Sequence, residues 1–148
     1  MRVKFTQKQV PEISEKIIKK LLKMDNKRAR VLAFSGELGA GKTTLTKELA
    51  RKFGIKENII SPTFVIMKFY DIDRDSEYYS HFKKLIHIDA YRLDSHEELN
   101  KIGWDELVND KENLIILEWP ERVEKCLKEG TCWIKLEHID EETRSLEF

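Results

Sequence analysis

Apolar residues recur every four positions in two segments of the first half of the chain. One segment follows Pro11 and ends near Met24, and the other ends before Gly54. Spacing of three or four residues gathers apolar side chains on one face of a helix, so both segments are predicted as amphipathic helices. The positions that carry this pattern are Ile13, Ile17 and Leu21 in the first helix and Leu45, Leu49 and Phe53 in the second.

Lysines fill the positions between the apolar residues of the first helix. They continue into Lys27, Arg28 and Arg30, which makes this the most basic stretch of the chain. A solvated helix face is the favoured interpretation, and an RNA or partner surface is the alternative. The lysines concerned are Lys16, Lys19, Lys20 and Lys23.

Short apolar runs without helical spacing predict the strands. These runs are residues 3–5, 31–35, 64–72, 84–90, 113–118, 131–138 and 143–148. The second and fifth runs are almost wholly apolar, as in parallel strands covered on both faces, whereas the third and fourth flank a polar turn and the last two can form a hairpin. Together, the predicted helices and strands indicate an α/β fold with a central parallel sheet, antiparallel edge strands and flanking helices.

Turn and cap residues predict the remaining helices. Ser95 and Glu98 have the spacing of a capping box, which predicts a short helix that Gly103 interrupts. Pro120 is predicted to open another helix that runs to Leu127.

Length and composition limit the classes of protein to consider. A chain of 148 residues with 41% hydrophobic residues is expected to form one domain with its own core. The 27 basic residues equal the 27 acidic ones, so any RNA contact must be local or delegated to a partner. Cys126 and Cys132 have no metal or disulfide spacing, and no apolar run approaches the ~18 residues of a membrane span. A cytoplasmic protein without membrane contact is therefore expected.

Residues 36–43, GELGAGKT, match the phosphate-loop pattern GxxxxGK[ST] completely. They lie between a predicted buried strand and a predicted helix, which is where such a loop binds phosphate through its amides and the helix N-terminus. Lys42 is expected to bridge the β- and γ-phosphates, Thr43 to ligate Mg²⁺, and Thr44 to meet the α-phosphate. The chain is thus predicted to be a P-loop NTPase, with cofactor-binding residues Gly36, Glu37, Leu38, Gly39, Ala40, Gly41, Lys42, Thr43 and Thr44.

Two acids are candidates for the magnesium carboxylate, because each ends an apolar strand at the edge where such sheets bind ligands. They are Asp89 and Glu118, and the residues alone leave both open. Pro62 holds the residue before it extended and could present the Thr63 hydroxyl toward Mg²⁺ and the γ-phosphate, although a plain strand-start turn is the favoured interpretation. His87, between two isoleucines, is interpreted as a packed, hydrogen-bonded core residue.

The motifs GELGAGKTT, SPTF, HIDAYRL and LIILEWPER, in that order in so short a chain, resemble the TsaE (YjeE) family. The resemblance implies an ATPase required for threonylcarbamoyladenosine formation on tRNA, weak alone, that works with the TsaD and TsaB proteins and meets tRNA only through their complex. It implies ATP in the loop, Mg²⁺ at Thr43 and Glu118 with Asp89 as a third acid near the metal, and Thr63 as the γ-phosphate sensor. It also implies that Arg144 and either Thr6 or Gln7 lie near the adenine.

Hydrolysis by in-line attack of water is the predicted reaction, with Lys42, Asp89 and Glu118 as the catalytic set. No side chain is an obvious general base; one of the two acids could orient the water, and Arg92 or a partner's arginine could complete the site. A small-metabolite or nucleoside kinase is the first alternative, although residues 104–112 supply no arginine-bearing lid. A GTP-binding switch is the second, and the chain has neither an NKxD motif nor a DxxG motif after a strand.

Overall fold

Seven strands form one mixed sheet in the computed structural model, which describes residues 1–148. Their spatial order is β1-β7-β6-β2-β5-β4-β3, and the four central strands β6, β2, β5 and β4 are parallel. Strands β3 and β7 flank them in antiparallel pairing, and β1 pairs antiparallel with β7 at the outer edge. The bounds are β1 Arg2–Thr6, β2 Arg30–Ser35, β3 Met67–Asp71, β4 Lys84–Asp89, β5 Asn113–Glu118, β6 Cys132–His138 and β7 Thr143–Glu147. The predicted α/β architecture is confirmed.

Helices cover both faces of the sheet. The first face packs against α1 (Val10–Leu22) and α2 (Lys42–Lys52), where 25 buried residues form the larger core. The second face packs against α3 (His96–Lys101), α4 (Trp104–Asn109) and a kinked 3-10 segment, Pro120–Cys126, around 12 buried residues. None of these helices has the length and apolar character that a membrane crossing requires.

Period-two alternation assigns the side chains of the two central strands β4 and β5 to these faces. Leu85 and Leu114 belong to the larger core, so the residues two and four positions further along each strand point the same way. His87, Asp89 and Glu118 therefore lie on the face of α1 and α2. Because Asp89 and Glu118 are direct partners in the parallel ladder, both acids reach the same edge of the sheet.

The structure departs from the sequence prediction at local turns. The strand predicted from residue 64 begins at Met67, because the N–H groups of Val65 and Ile66 both donate to the Pro62 carbonyl and close a turn there. The Ser95–Glu98 capping box is absent, since the Glu98 carboxylate accepts from the Asp94 N–H instead, at 2.7 Å.

Two further predictions need correction. The segment after Pro120 is a 3-10 helix broken at Val123, which has φ −133°, rather than an α-helix to Leu127. Arg30 is buried, with its guanidinium 4.9 Å from the centre of the Phe82 ring, because it begins a central strand beneath the larger core. It is therefore not part of the solvated basic surface, whereas Lys27 and Arg28 are exposed.

Candidate nucleotide-binding site

The loop between β2 and α2 follows the central strand of the sheet and wraps back on itself. Gly36, Gly39 and Gly41 have φ values of 142°, 81° and 103°, in a region that side chains rarely adopt. A Cβ atom at Gly36 would collide with the Leu136 carbonyl oxygen on the neighbouring strand β6. The buried Ala40 anchors the turn in the core, and its N–H donates to the Glu37 carbonyl at 3.1 Å. The loop thus holds its backbone close to the start of α2.

Lys42 is the first residue of α2 and lies beneath this loop. Its ammonium donates to the carbonyl of Gly36 and, at 3.0 Å, to that of Glu37, and it lies 4.6 Å from the centre of the Trp119 ring. Burial lowers the pKa of Lys42, and the negative charges of Glu118, Asp89 and Glu121 act in the opposite direction. The side chain is a buried cation that faces two acids. Its positive charge can attract phosphate into the loop.

Asp89 is held by hydrogen bonds on both oxygens. Its Oδ1 accepts from the Tyr91 N–H at 2.9 Å, and its Oδ2 accepts from the Thr63 hydroxyl at 2.8 Å. Since a carboxylate can only accept, Thr63 uses its single proton there, and the Ser61 hydroxyl must donate to Thr63 Oγ1 across 2.8 Å. Thr63, the predicted γ-phosphate sensor, is therefore hydrogen-bonded to Asp89, one of the two candidate acids.

Backbone strain occurs at two residues, one shortly after Thr63 and one directly after Glu118. Ile66 has φ 67° and Trp119 has φ 57°, and they are the only residues other than glycine with positive φ. Such conformations cost about 1–3 kcal/mol each and persist where surrounding contacts hold them. The Ile66 carbonyl accepts from the Asp89 N–H at 2.8 Å, and Trp119 directly follows Glu118. The strained residues thus border both acids.

Glu118 has its own buried partner. Its Oε1 lies 3.0 Å from His87 Nε2, and both side chains are almost fully buried. His87 is packed and hydrogen-bonded as its sequence context predicts, and its partner is one of the two candidate acids.

Two cavities meet at the loop. One, of 270 Å³, contains the chemistry-bearing groups between the loop and the strand ends, and its lining includes Lys42, Thr43, Thr63, Asp89 and Glu118. The other, of 800 Å³, lies on the far side of the loop between the N-terminal segment and the turn before β7. Gly39, Gly41 and Thr44 line both, so the two cavities are adjacent parts of one cleft.

The structure gathers most of the predicted site residues around this cleft. The loop residues Leu38, Gly39 and Gly41 line it, Gly36 and Glu37 contact Lys42 through their carbonyls, and Ala40 supports the loop from the core. Arg144 lines the larger cavity together with Thr6 and Gln7. Its guanidinium donates to the carbonyls of Asp140 and Thr143.

The sequence assigned no role to several residues of the cleft, and it left Trp119 open between a core position and the lining of the nucleotide cleft. Ser61, Tyr91 and Trp119 line the smaller cavity, and Phe5, Lys8, Glu141 and Glu142 line the larger one. The larger cavity forms because β1 pairs with β7, which brings the two ends of the chain together. No local sequence pattern predicts the pairing of β1 with β7. Ser61 lies two residues before Thr63, which is a signal that could have found it.

The donor set of the smaller cavity fits a magnesium ion bound together with a nucleotide. Thr43, Asp89 and Glu118 offer oxygen ligands, the type that Mg²⁺ prefers, and all three line the cavity. The chain has no group of three or more His, Cys, Asp and Glu side chains that could hold a metal by themselves. In the usual Mg²⁺ site, one or two carboxylates share the ion with phosphates.

Comparison with known proteins gives consistent matches over most of the chain. Residues 6–146 match the family described as "Threonylcarbamoyl adenosine biosynthesis protein TsaE". The tRNA threonylcarbamoyladenosine biosynthesis protein TsaE of Rickettsia felis is 36% identical over 134 residues, which are 90% of this chain and 72% of that protein. The Bacillus subtilis protein of the same name is 33% identical over 133 residues, 90% of this chain and 77% of that one.

A solved structure agrees with the sequence matches. The crystal structure of YdiB from Bacillus subtilis superposes with a TM-score of 0.68 and 26% identity, over 99% of this chain and 83% of that one.

Proposed function

The chain belongs to the TsaE family, proteins of tRNA threonylcarbamoyladenosine biosynthesis, and on that premise we propose that it binds and hydrolyses Mg-ATP to support that modification. The observation that carries the proposal is the arrangement of the smaller cavity. A phosphate loop, its lysine, two in-register acids and a threonine bonded to one of them all border 270 Å³ of space. The adjoining cavity, lined by Thr6, Gln7 and Arg144, has room for the nucleoside.

Nucleotide binding follows from the loop geometry. The loop amides and the N-terminus of α2 bind the β-phosphate, and the Lys42 ammonium exchanges the Gly36 and Glu37 carbonyls for phosphate oxygens. Thr43, Asp89 and Glu118 are the residues that would hold Mg²⁺. When bound, the ion supplies charge neutralisation on the phosphate oxygens.

Hydrolysis requires a water placed in line with the γ-phosphate. Asp89 and Glu118 are the side chains able to accept a hydrogen bond from that water at the strand ends, and Thr63 lines the same cavity. Arg92 does not line the cavity, and its guanidinium lies 4.8 Å from the centre of the Phe64 ring. The smaller cavity therefore lacks an arginine to stabilise transferred charge, a group worth about 10³ to 10⁵ in rate when a partner supplies it. We infer a weak ATPase that partner proteins stimulate.

The proposed partners are the TsaD and TsaB proteins, with tRNA reached only through their complex. The net charge of zero supports this division, since the chain has no overall positive field for RNA. ATP turnover would then serve to reset the transferase complex rather than to transfer the threonylcarbamoyl group.

The test is ATP hydrolysis by the pure chain, alone and with TsaD, TsaB and tRNA. The expected result is slow release of ADP and phosphate in equal amounts, faster with the complete set of partners. Lys42→Ala should abolish nucleotide binding and tRNA modification, whereas Lys47→Ala, an exposed lysine of the same helix, should leave both unchanged. Equal rates with and without partners would refute the role in turnover. ADP formed with a phosphorylated small acceptor in place of free phosphate would identify a kinase instead.

A further inference from the structure

His87 lies at the centre of β4 with none of its surface exposed, between Ile86 and Ile88. It is a polar side chain where the strand is otherwise apolar, and one of its ring nitrogens, Nδ1, has no hydrogen-bond partner. An apolar residue of similar size would fill this position without a buried, unpaired polar atom. Packing alone therefore does not account for a histidine here.

The single hydrogen bond of the ring has a defined direction. The Glu118 carboxylate can only accept, so His87 Nε2 carries the proton and donates to Glu118 Oε1 across 3.0 Å. The other ring nitrogen, Nδ1, is the one without a partner.

The ring lies behind the carboxylate as seen from the cleft. In the parallel ladder His87 pairs with Ile116, two residues before Glu118, so the glutamate side chain lies diagonally above it. Glu118 lines the smaller cavity and His87 does not. Glu118 Oε2 accepts no hydrogen bond from the protein, so the histidine fixes one oxygen and leaves the other for the cleft.

We propose that His87 is a positioning residue that holds the Glu118 carboxylate in the orientation needed for Mg-ATP. The inference rests on the proposed function and deepens it, because it assigns a role to a buried residue that touches neither nucleotide nor metal. Groups that hydrogen-bond a metal ligand from outside fix its orientation, and their loss typically lowers metal affinity or activity about 10- to 100-fold. A loss of that size is expected when the Nε2 donor is removed.

Two amide substitutions distinguish the effect of the Nε2 hydrogen-bond donor from the effect of having a polar side chain at position 87. His87→Gln places an amide nitrogen near the position of Nε2, where it can still donate to Glu118. His87→Asn places its amide nitrogen near Nδ1, too far back to reach the carboxylate. The asparagine variant is expected to lose about 10- to 100-fold in kcat/KM for Mg-ATP, and the glutamine variant to remain within about threefold of wild type.

A binding measurement adds a readout other than turnover. Calorimetry gives the affinity for ADP with and without Mg²⁺, and the ratio isolates the contribution of the metal ligands. This ratio should fall in His87→Asn and be restored in His87→Gln, while metal-free ADP affinity stays constant in both. Equal losses in the two variants, or no loss in either, would overturn the proposal.

The imidazole ¹⁵N spectrum of the nucleotide-free protein tests the hydrogen bond itself and does not depend on how the two His87 variants fold. The expected spectrum shows His87 protonated at Nε2, with a resonance that moves in Glu118→Ala. An Nε2 atom without a proton, or no change in Glu118→Ala, would contradict the proposal. Failure of the proposed function has a different signature: wild-type protein with the expected His87 spectrum that binds no nucleotide.

Discussion

The two faces of the sheet use the same central strands for different purposes. On the face of α1 and α2, strands β4 and β5 continue from leucine and isoleucine to His87, Asp89 and Glu118. On the face of α3 and α4, the same strands present apolar side chains to the core, among them Ile86 and Leu117, and one buried polar residue at the start of β5. Of the nine buried polar residues, Asn113 belongs to the second face, where its amide donates to the Leu107 carbonyl at 3.1 Å.

Because the two faces differ in this way, substitutions on the second face should affect the stability of the fold, and substitutions on the first face should affect the chemistry of the cleft. The apolar side chains of the second face contribute through burial, so their substitutions should change the free energy of unfolding and leave the cleft intact. Buried charged groups contribute little net stability and persist for another reason, which here is the cleft at the strand ends. The expected outcomes below test this separation, in order of decreasing effect.

The largest effect is expected at Trp104, which is 2% exposed in the core of the second face. Trp104→Ala should lower the free energy of unfolding by about 3–5 kcal/mol, because it removes a large buried side chain and leaves a cavity. Urea denaturation measures this, with Trp133→Ala, 39% exposed, as the control that should change little. Nucleotide affinity of the folded protein should not change. A tenfold loss of affinity in folded Trp104→Ala would break the separation between the faces.

Glu118→Gln should give the opposite result on the first face. The amide keeps an acceptor oxygen for His87, so the free energy of unfolding should stay within about 1 kcal/mol of wild type. Loss of the charge should slow Mg²⁺-dependent hydrolysis about 100-fold, which corresponds to roughly 2.7 kcal/mol in the barrier. Glu121→Gln is the matched control, because this exposed acid also acts on Lys42 but does not line the cavity. Undiminished hydrolysis with large destabilisation would make Glu118 a structural residue.

Glycine substitutions extend the comparison to the backbone. Gly36→Ala should destabilise the fold by about 2 kcal/mol and weaken nucleotide binding, because φ is 142° and the new Cβ would meet the Leu136 carbonyl. Gly130→Ala has a similar φ problem, 94°, but open space around it, so about 1 kcal/mol is expected. Thermal unfolding and ADP calorimetry measure both quantities. Equal effects in the two variants would mean that the close approach of the loop to β6 is unimportant.

Each core contains one thiol, which gives the smallest expected effect. Burial raises the pKa of Cys132 in the larger core and of Cys126 in the smaller one. The unfolded chain then releases these protons at lower pH than the folded chain, so the stabilising contribution is complete below the ordinary thiol pKa and is lost as pH rises past it. Denaturation at pH 7.5 and 9.5 should show a smaller fall in each Cys→Ala variant than in wild type. An equal fall in all three proteins would contradict this sign.

The sequence predicted the features that depend on local pattern. The central strands, both long helices and the phosphate loop follow from apolar spacing and one eight-residue motif, and the structure confirms these elements. The acids could be placed at one edge because parallel strands end together, as Asp89 and Glu118 do. Their assigned roles remain predictions.

Features set by contacts distant in sequence could not be predicted. The pairing of β1 with β7 joins the two ends of the chain and builds the larger cavity. The partner of His87 lies 31 residues away on another strand. The turn after Pro62 prevents residues 64–66 from joining the strand, although their side chains favour β-structure. It leaves Phe64 84% exposed and Val65 66% exposed beside Thr63.

Calorimetric titration of the pure, folded protein with ATP in the presence of Mg²⁺ tests the proposed nucleotide site most directly. Saturable binding of one nucleotide per chain is expected, and it should disappear in Lys42→Ala while persisting in Lys47→Ala. No heat of binding with ATP or any other nucleotide, from protein whose unfolding transition shows it to be intact, would contradict the function proposed for the cleft.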